Sequence, residues 1–324
     1  MNKNIINIAC WSIGQHAIKN MLPAIAECKE VNLSGIYTRN KLRAEEQCKL
    51  YECIEYKNET EFLEDHSINA IYLSSPTGVH FEQIEKCLDA GKSVLVEKTA
   101  LPSLFETEQL IRKAKQKGLV LMEAFMYRFH EQFHTLKAIL DSKEFGHPIK
   151  IDCEFGFPHL NTDNIRYKRS LSGGALFDAG AYTISSVRTL LNDNVQLKFA
   201  NLESDKGYEV DTKGFAVLQA NTTLCTCTWG FGLSYSNVIR IWTDDTIIVV
   251  DKAYSKRETP QNISIFKNGK LENIIEIGAQ NHFINMLKYF CDTTKSSLLK
   301  EECLSDLYNQ SLLLDKVREL GTRT

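Results

Sequence analysis

IYLSSPTGVHFEQIEKCLDAGKSVLVEK, residues 71–98, decides the fold. The apolar run 70–74 reads as a buried strand. A helical pattern follows over 79–90, and Gly91 stands just past its end, where a residue free to take positive φ closes a helix. A second apolar strand, 93–97, comes directly after. Strand, helix and strand at this spacing form a right-handed βαβ unit in a parallel sheet.

The same texture extends outward. Residues 5–10 (IINIAC) are a near-continuous apolar run, which suits a strand covered on both faces. After 11–14 a helix presents Ala17, Ile18, Met21, Leu22, Ile25 and Ala26 on one face. Strand 33–37 ends in Thr38-Arg39-Asn40, and a charged helix covers about 41–50. On the other side, helix 104–117 is closed by Gly118. A last strand, 120–123, runs into aromatic-rich residues 125–134. After about residue 146 the pattern changes. A strand over 149–157 and a polar loop lead to a helix over 175–191. Short strands then follow at 195–203, 214–220, 223–232, 237–243, 246–251, 261–267 and 272–277, with turn signals at Asp244-Asp245 and Asn268-Gly269. Closing helices are expected at 280–291 and 301–319. The expected fold is α/β: an N-terminal Rossmann-type parallel sheet over 1–124, and over 125–324 a C-terminal α+β domain with a large, mostly antiparallel open sheet.

Size and composition agree. A single core rarely grows past roughly 250–300 residues, and this chain has 324. Its 38 basic and 41 acidic side chains leave a net charge of −3. That balance argues against nucleic acid or an anionic membrane as partner. The ten cysteines are scattered, and the one close pair, Cys225 and Cys227, has no matching His/Cys pair nearby. No metal is expected, and the thiols read as reduced. The N-terminus lacks the length and cleavage signal of a secretory peptide, and no stretch approaches 18 apolar residues. A cytoplasmic protein is expected.

Ligands of open parallel sheets bind beyond the carboxyl ends of the strands. Those ends are Trp11-Ser12, Thr38-Arg39, Ser74-Ser75-Pro76-Thr77, Glu97-Lys98 and Glu123. A dinucleotide fingerprint would place glycines at 9, 11 and 14; the chain has Ala9, Trp11 and Gly14. Either the indole plugs a dead site, or it turns aside and Ser12, Ile13 and Gly14 still offer N–H groups to a phosphate. Thr38-Arg39 stands where an acid would bind a ribose 2′-hydroxyl. A hydroxyl and a guanidinium suit a 2′-phosphate, so NADP(H) is expected over NAD(H); the alternative is a solvated surface Arg39. Glu97-Lys98 reads as a relay at the nicotinamide or as a strand-end salt bridge. In SGGALFDAGAYTISS, Asp178 and Tyr182 share a helical face. A phenol near a lysine can move a proton at a carbinol carbon, though a lone helical Tyr is usually a core residue.

Three segments carry a resemblance: IYLSSPTGVHFEQIEKCLDAGKSVLVEKTA (71–100), LMEAFMYRFHEQF (121–133) and GFPHLNTDNIRYKRSLSGGALFDAGAYTI (156–184). With these the chain resembles the glucose–fructose oxidoreductase/inositol dehydrogenase (Gfo/Idh/MocA) family along nearly its whole length. The resemblance implies a nicotinamide-binding domain and a second domain whose open sheet often forms an oligomer interface. It implies that Lys98 matches the lysine of an E-K-P motif beside nicotinamide and substrate, and that Asp178 and Tyr182 match the D-x-x-x-H/Y motif at the substrate. The Tyr form is similar to sugar-transforming members, including nucleotide-sugar ketoreductases, and to dimeric dihydrodiol dehydrogenase. Three positions depart from the pattern: the first-turn glycines, Thr99 in place of proline, and Glu131 where proline commonly follows R-F-H. Loss of the proline frees the backbone after Lys98, so a looser or simply different placing of the lysine is expected.

The expected function is hydride transfer between NADP(H) and a ring carbon of a sugar or nucleotide-sugar. Lys98, Tyr182 and Asp178 would be catalytic. Ser75, Pro76, Thr77 and His80 would flank the ribose and nicotinamide, and Asn164 and Arg166 would contact substrate; Tyr127, Arg128 and His130 are weaker candidates for substrate contact, with core packing as the alternative. A homodimer or homotetramer through the C-terminal sheet is expected. Two alternatives remain: a dihydrodiol or xylose dehydrogenase type acting on a free small molecule, and a non-catalytic NADP-sensing or scaffold relative.

Overall fold

Parallel strands that are apolar on both faces must be covered on both faces, and the first half of the chain meets that demand with alternating strands and helices. The computed structural model describes residues 5–256 and 258–323. The strands β1 (Ile6–Trp11), β2 (Val31–Tyr37), β3 (Ile54–Glu55), β4 (Ala70–Leu73), β5 (Ser93–Glu97) and β6 (Leu121–Ala124) form one sheet in the order β3-β2-β1-β4-β5-β6. All neighbours are parallel. The chain moves outward from β1 to β3, then crosses to β4 and moves outward the other way. The sheet therefore has its topological switch point between β1 and β4, where α/β sheets bind ligands. Ile8, Ala9 and Cys10 and all of β4 are fully buried.

The helices between them are α1 (Leu22–Glu27, entered through a π-helical turn at Ala17–Met21), α2 (Lys41–Tyr51), α3 (Glu59–Glu64), α4 (His80–Asp89) and α5 (Leu104–Lys117). Sequence pattern and structure agree on α5 to the residue: Ser103 caps it by accepting from the Glu106 N–H at 3.3 Å, and Gly118 at φ +65° ends it. The short elements β3 and α3 were not anticipated. Asn58 caps α3, and the fully buried Phe62 anchors it.

The chain divides into two compact units. The first runs to Met126 and also takes in His282–Tyr308; the second comprises Tyr127–Asn281 and the chain from Asn309. The expected division at 124/125 differs from this. Helix α8 (His282–Lys295) and the first half of α9 (Ser297–Leu320) join the first unit, where Leu304 and Leu307 complete the core containing Trp11, Phe62 and Leu121.

In the second unit, α6 (Glu131–Ser142) and α7 (Ala181–Leu190) accompany nine strands among the described residues. These are β7 (Pro148–Phe157), β8 (Gln196–Glu203), β9 (Lys213–Ala220), β10 (Thr223–Phe231), β11 (Ser236–Thr243), β12 (Ile247–Asp251), β13 (Gln261–Lys267), β14 (Lys270–Ile277) and β15 (Thr322–Arg323). Their order is β14-β13-β12-β11-β7-β10-β9-β8-β15. Pairing is antiparallel except for β7 with β10 and β8 with β15. Helix α7 packs on β7 and β10. It is tied down by Arg188, 2% exposed, which donates to Asp193 at 2.5 Å and to Gln310 at 3.1 Å. Away from that face, Phe199, Phe215, Leu224 and Trp242 are exposed.

His130 caps α6: its Nδ1 accepts from the Gln132 N–H at 3.1 Å. The ring is buried, and burial pushes its pKa down to about 4. Burial pushes His80 in the same direction. A histidine kept neutral in the folded chain costs nothing above pH ~6.5. Below that the unfolded chain takes the proton first, and stability is lost as pH falls toward 4. Between pH 7 and 5, His130 alone should remove about 2 kcal/mol. His130→Asn keeps a capping acceptor and does not titrate. Melting temperatures at the two pH values should differ markedly less in this variant than in wild type.

Candidate functional site

Strand β1 runs through Trp11, so that side chain belongs to the sheet rather than to the turn. The indole is 4% exposed and packs edge-on against Tyr37 at 5.8 Å and Phe62 at 5.6 Å. The ring thus lies in the core, turned away from the phosphate position. Trp11 was expected as a cofactor contact; its side chain has no part in the edge, and only its carbonyl, accepting from the Ser74 N–H at 3.1 Å, belongs to the turn. Ser12 makes the turn at φ +67°, the left-handed region that the missing glycine would have supplied without strain. Its N–H donates to the Tyr37 carbonyl at 2.7 Å, and its carbonyl accepts from Ser74 Oγ at 2.8 Å. Ile13 is buried. A Cβ built on Gly14 would meet nothing within 4 Å. A side chain at this position would therefore meet open space.

At the end of β2, Arg39 is exposed and Thr38 half-buried. Asn40 caps α2 by accepting from the Arg43 N–H at 3.1 Å. Arg43, which the sequence did not single out, donates through Nη1 to the Ile13 carbonyl at 3.1 Å. It brings a second guanidinium to the first turn. Arg43 is the single arginine of the charged helix 41–50, but nothing in the spacing points to a carbonyl thirty residues away, so this contact was hidden.

Ser75, Pro76 and Thr77 follow β4. Ser75 Oγ bonds to Gln83 Oε1. His80 is fully buried, with Nδ1 2.9 Å from the Ala100 carbonyl and Nε2 2.8 Å from the Ser75 carbonyl. Both ring nitrogens face carbonyl oxygens, and the single N–H of the neutral ring donates to one of them, so His80 is turned to backbone of the neighbouring loops. Thr77 Oγ1 donates to the Thr99 carbonyl at 3.0 Å. Glu123, 6% exposed, accepts from the Ala100 N–H at 2.9 Å. Three side chains from three elements thus hold the backbone directly after Lys98. The peptide joining Lys98 to Thr99 is cis. Loss of the proline was expected to place the lysine more loosely or simply differently; hydrogen bonds to Thr77, His80 and Glu123 restrain the backbone that follows it. Glu97 accepts from the Tyr72 hydroxyl at 2.6 Å and lies 3.7 Å from His16 Nδ1. These partners come from β4 and from the helix after β1, and local spacing could not reveal them. Lys98 is half-buried.

The second unit brings together Asn164, Arg166 and Asp178. Arg166 Nε donates to Asp178 Oδ2 at 2.6 Å, and Asn164 Oδ1 accepts from the Arg166 N–H at 3.1 Å. The Asp178 charge raises the Arg166 pKa, with Tyr182 and Tyr167 adding to the effect. The glycine pair permits this. A Cβ on Gly173 would meet the Arg166 carbonyl oxygen at 2.4 Å, and Gly174, at φ +125°, abuts Asp211. Asp211 caps the following turn, accepting from the Leu176 N–H at 2.6 Å. Asp178 lies in a π-helical turn, Leu176–Gly180, that feeds α7. There Gly180 lies against the Trp229 ring, where a Cβ would come within 2.9 Å. Tyr182, 6% exposed, sits among Phe155, Tyr254 and Tyr127, with ring centroids at 5.4, 5.6 and 5.8 Å. Tyr127 was expected at the substrate. It is fully buried, and its hydroxyl donates to Ser185 Oγ at 3.0 Å, so it supports Tyr182 from within the core. Arg128 is half-buried.

The placement of Trp11 is testable. Trp11→Ala should cost about 3–5 kcal/mol in denaturant unfolding, the range for a large core aromatic. An indole resting on the edge would cost far less.

Comparison with known proteins follows the same division of the chain. Residues 9–125 match the model of the GFO_IDH_MocA oxidoreductase family, NAD-binding Rossmann fold, and residues 133–250 match the GFO/IDH/MocA C-terminal domain. The dTDP-3,4-didehydro-2,6-dideoxy-α-D-glucose 3-reductase of Saccharopolyspora spinosa is 30% identical, over 77% of this chain and 76% of its own. D-xylose 1-dehydrogenase (NADP(+)) 2 of Haloferax volcanii is 30% identical over 62% of each chain. Among solved structures, the 3-ketoreductase KijD10 from Actinomadura kijaniata, in complex with NADP and TDP-benzene, superimposes with a TM-score of 0.94. It is 24% identical, with 99% of each chain covered. KijD10 has also been solved with a lysine replaced by alanine or glutamate and with a tyrosine replaced by phenylalanine. The chain belongs to the Gfo/Idh/MocA family of oxidoreductases.

Proposed function

We propose that this oxidoreductase uses NADP(H) and acts at a ring carbon of a nucleotide-linked sugar, as a ketoreductase or the reverse dehydrogenase. The observation that carries this reading is the bracing of the segment after Lys98 by Thr77, His80 and Glu123. It fixes where an ammonium group leaves the sheet, at the edge where such folds bind their ligands. Two comparisons support it: the S. spinosa relative is a dTDP-sugar 3-reductase, and the lysine and tyrosine replaced in KijD10 are separated by the same interval as Lys98 and Tyr182.

Bound NADP(H) would supply or accept the hydride. The chain's residues do the rest. Main-chain N–H groups of Ser12, Ile13 and Gly14 would hold the pyrophosphate at the helix N-terminus. Thr38, Arg39 and Arg43 would hold the 2′-phosphate through charge-assisted hydrogen bonds. Ser74 braces the turn, and Ser75, Pro76 and Thr77 would line the ribose side. Glu97 and Glu123 act by positioning. Tyr182 would give a proton to the substrate oxygen, or take it, while Lys98 stabilises negative charge on that oxygen. Asp178 orients Arg166, which with Asn164 suits a phosphate or a sugar hydroxyl. Arg128 remains a candidate substrate contact.

A second reading, a dehydrogenase of a free sugar, is favoured by the xylose dehydrogenase relative. The exposed face with Phe199, Phe215, Leu224 and Trp242 suits pairing with a second copy as a homodimer or homotetramer. A light-scattering mass of one chain would remove that part. Ten free cysteines, all but Cys53 buried, fit a reducing compartment such as the cytoplasm.

With dTDP-linked keto-sugars as substrates, Lys98→Ala and Tyr182→Phe should each lower kcat by about 10²–10⁴, with NADPH affinity nearly unchanged. Replacing Arg39 and Arg43 by Ala should weaken NADPH about 10–100-fold and leave NADH little affected. Near-wild-type turnover in both catalytic variants would remove the mechanism.

A further inference from the structure

Lys256 lies in the loop after β12, half-buried. Two residues before it, Tyr254 packs against Tyr182, with the backbone held by Asn237 through the Tyr254 N–H at 2.8 Å and the Ser255 carbonyl at 3.0 Å. The Lys256 amine donates to Gln132 Oε1 at 2.6 Å. Gln132 is fully buried, and its own orientation is settled: Nε2 donates to the carbonyls of Asp251 at 3.2 Å and Asn262 at 2.9 Å. The oxygen must therefore face the lysine. The ionisable side chains on the surrounding elements are His130, which caps α6, Glu131, His134, Lys137 and Asp141 of α6, Asp251 at the end of β12, Lys267 at the end of β13, and Lys252, Tyr254 and Glu258 in its own loop. Among the described residues Lys256 makes no ion pair with a carboxylate, unlike the paired Lys86, Lys113 and Lys213. His130 has its proton affinity lowered chiefly by burial and further by the lysine.

This environment favours the amine over the ammonium ion more than water does. A single amide oxygen accepts one N–H, no anion compensates a charge, and burial removes water from it. Burial pushes the pKa down to about 7. A neutral amine in this setting uses one hydrogen toward Gln132 and retains its lone pair.

We propose that Lys256 is a site of covalent acylation, taking an acyl group from an activated donor such as an acyl phosphate or a thioester. Nζ attacks the carbonyl carbon and a C–N bond forms. The C–O or C–S bond breaks, and the phosphate or thiolate leaves with the electron pair. The proton lost from nitrogen passes to water. No oxidation or reduction occurs. The amide product keeps one N–H, enough to preserve the bond to Gln132. No role in hydride transfer is needed, so the inference stands or falls apart from the proposed activity.

The full chain is treated with acetyl phosphate between pH ~6 and ~9.5, and each lysine's acetylation rate is read by peptide mass spectrometry. At pH 7 Lys256 should react about five-fold or more faster than the median lysine, because most lysines are charged there. Its rate should level off above pH ~8, while exposed lysines keep rising. In denaturant the advantage should vanish. A Lys256 rate at or below the median would overturn the proposal. So would a rate still climbing at the alkaline end, or an advantage that persists in the unfolded chain.

Discussion

Parallel pairing of β1 with β2 on one side and β4 on the other is the constraint on which the rest of the first unit rests. It forces the chain to reverse its direction of travel across the sheet, and it brings every strand's carboxyl end to one edge. Ser12, Arg39, Ser74, Lys98 and Glu123 come from widely separated parts of the sequence, yet share that edge for this reason alone. The bonds between loops then refine the placement: Ser74 to the first turn, Thr77 and His80 to the segment after Lys98, and Arg43 to Ile13. Each is short-ranged and is satisfied by backbone atoms, the least variable partners a protein offers.

Much of this was legible beforehand, and the reasons are specific. Apolar runs such as 5–10 and 93–97, each followed by a periodic helix with a glycine stop, encode strand and helix through local pattern. The order of the sheet follows because βαβ connections have one hand. The failures share a cause. Helix α3 is one to two turns long, below the length at which periodicity registers. The apolar stripe of α8, with Phe283, Met286, Leu287 and Phe290, announces burial without naming the layer it covers. Arg43, Tyr72 and Asp211 act through partners distant in sequence, and pattern carries no information on these.

Site residues divide in the same way. Residue type and position at a strand end assign Lys98, Arg39 and Ser12 to the sheet's edge, where their strands do end. The same reading carries no sign that polar atoms of His80, Glu123 and Tyr127 meet backbone or core partners. A polar residue at a functional edge is as often the support of a neighbour as a contact of the ligand, and only its hydrogen-bond partners distinguish the two. Trp11 is the opposite case. It looks like an obstruction when position is read without direction, and its pleat parity sends the ring into the core.

The Trp229 ring lies against Gly180 on one side and Gly214 on another, where added methyl groups would come within 2.9 and 2.8 Å. Where the chain enters the helix bearing Tyr182, Gly180 thus rests directly on that flat ring, with no side chain of its own between. The thickness of the indole bears on how high the phenol stands. A thinner ring at 229 would let the helix settle, and a larger residue at 180 would jack it up. Either change would shift the hydroxyl without touching it, so the reach of that phenol is set partly on the far side of its own helix.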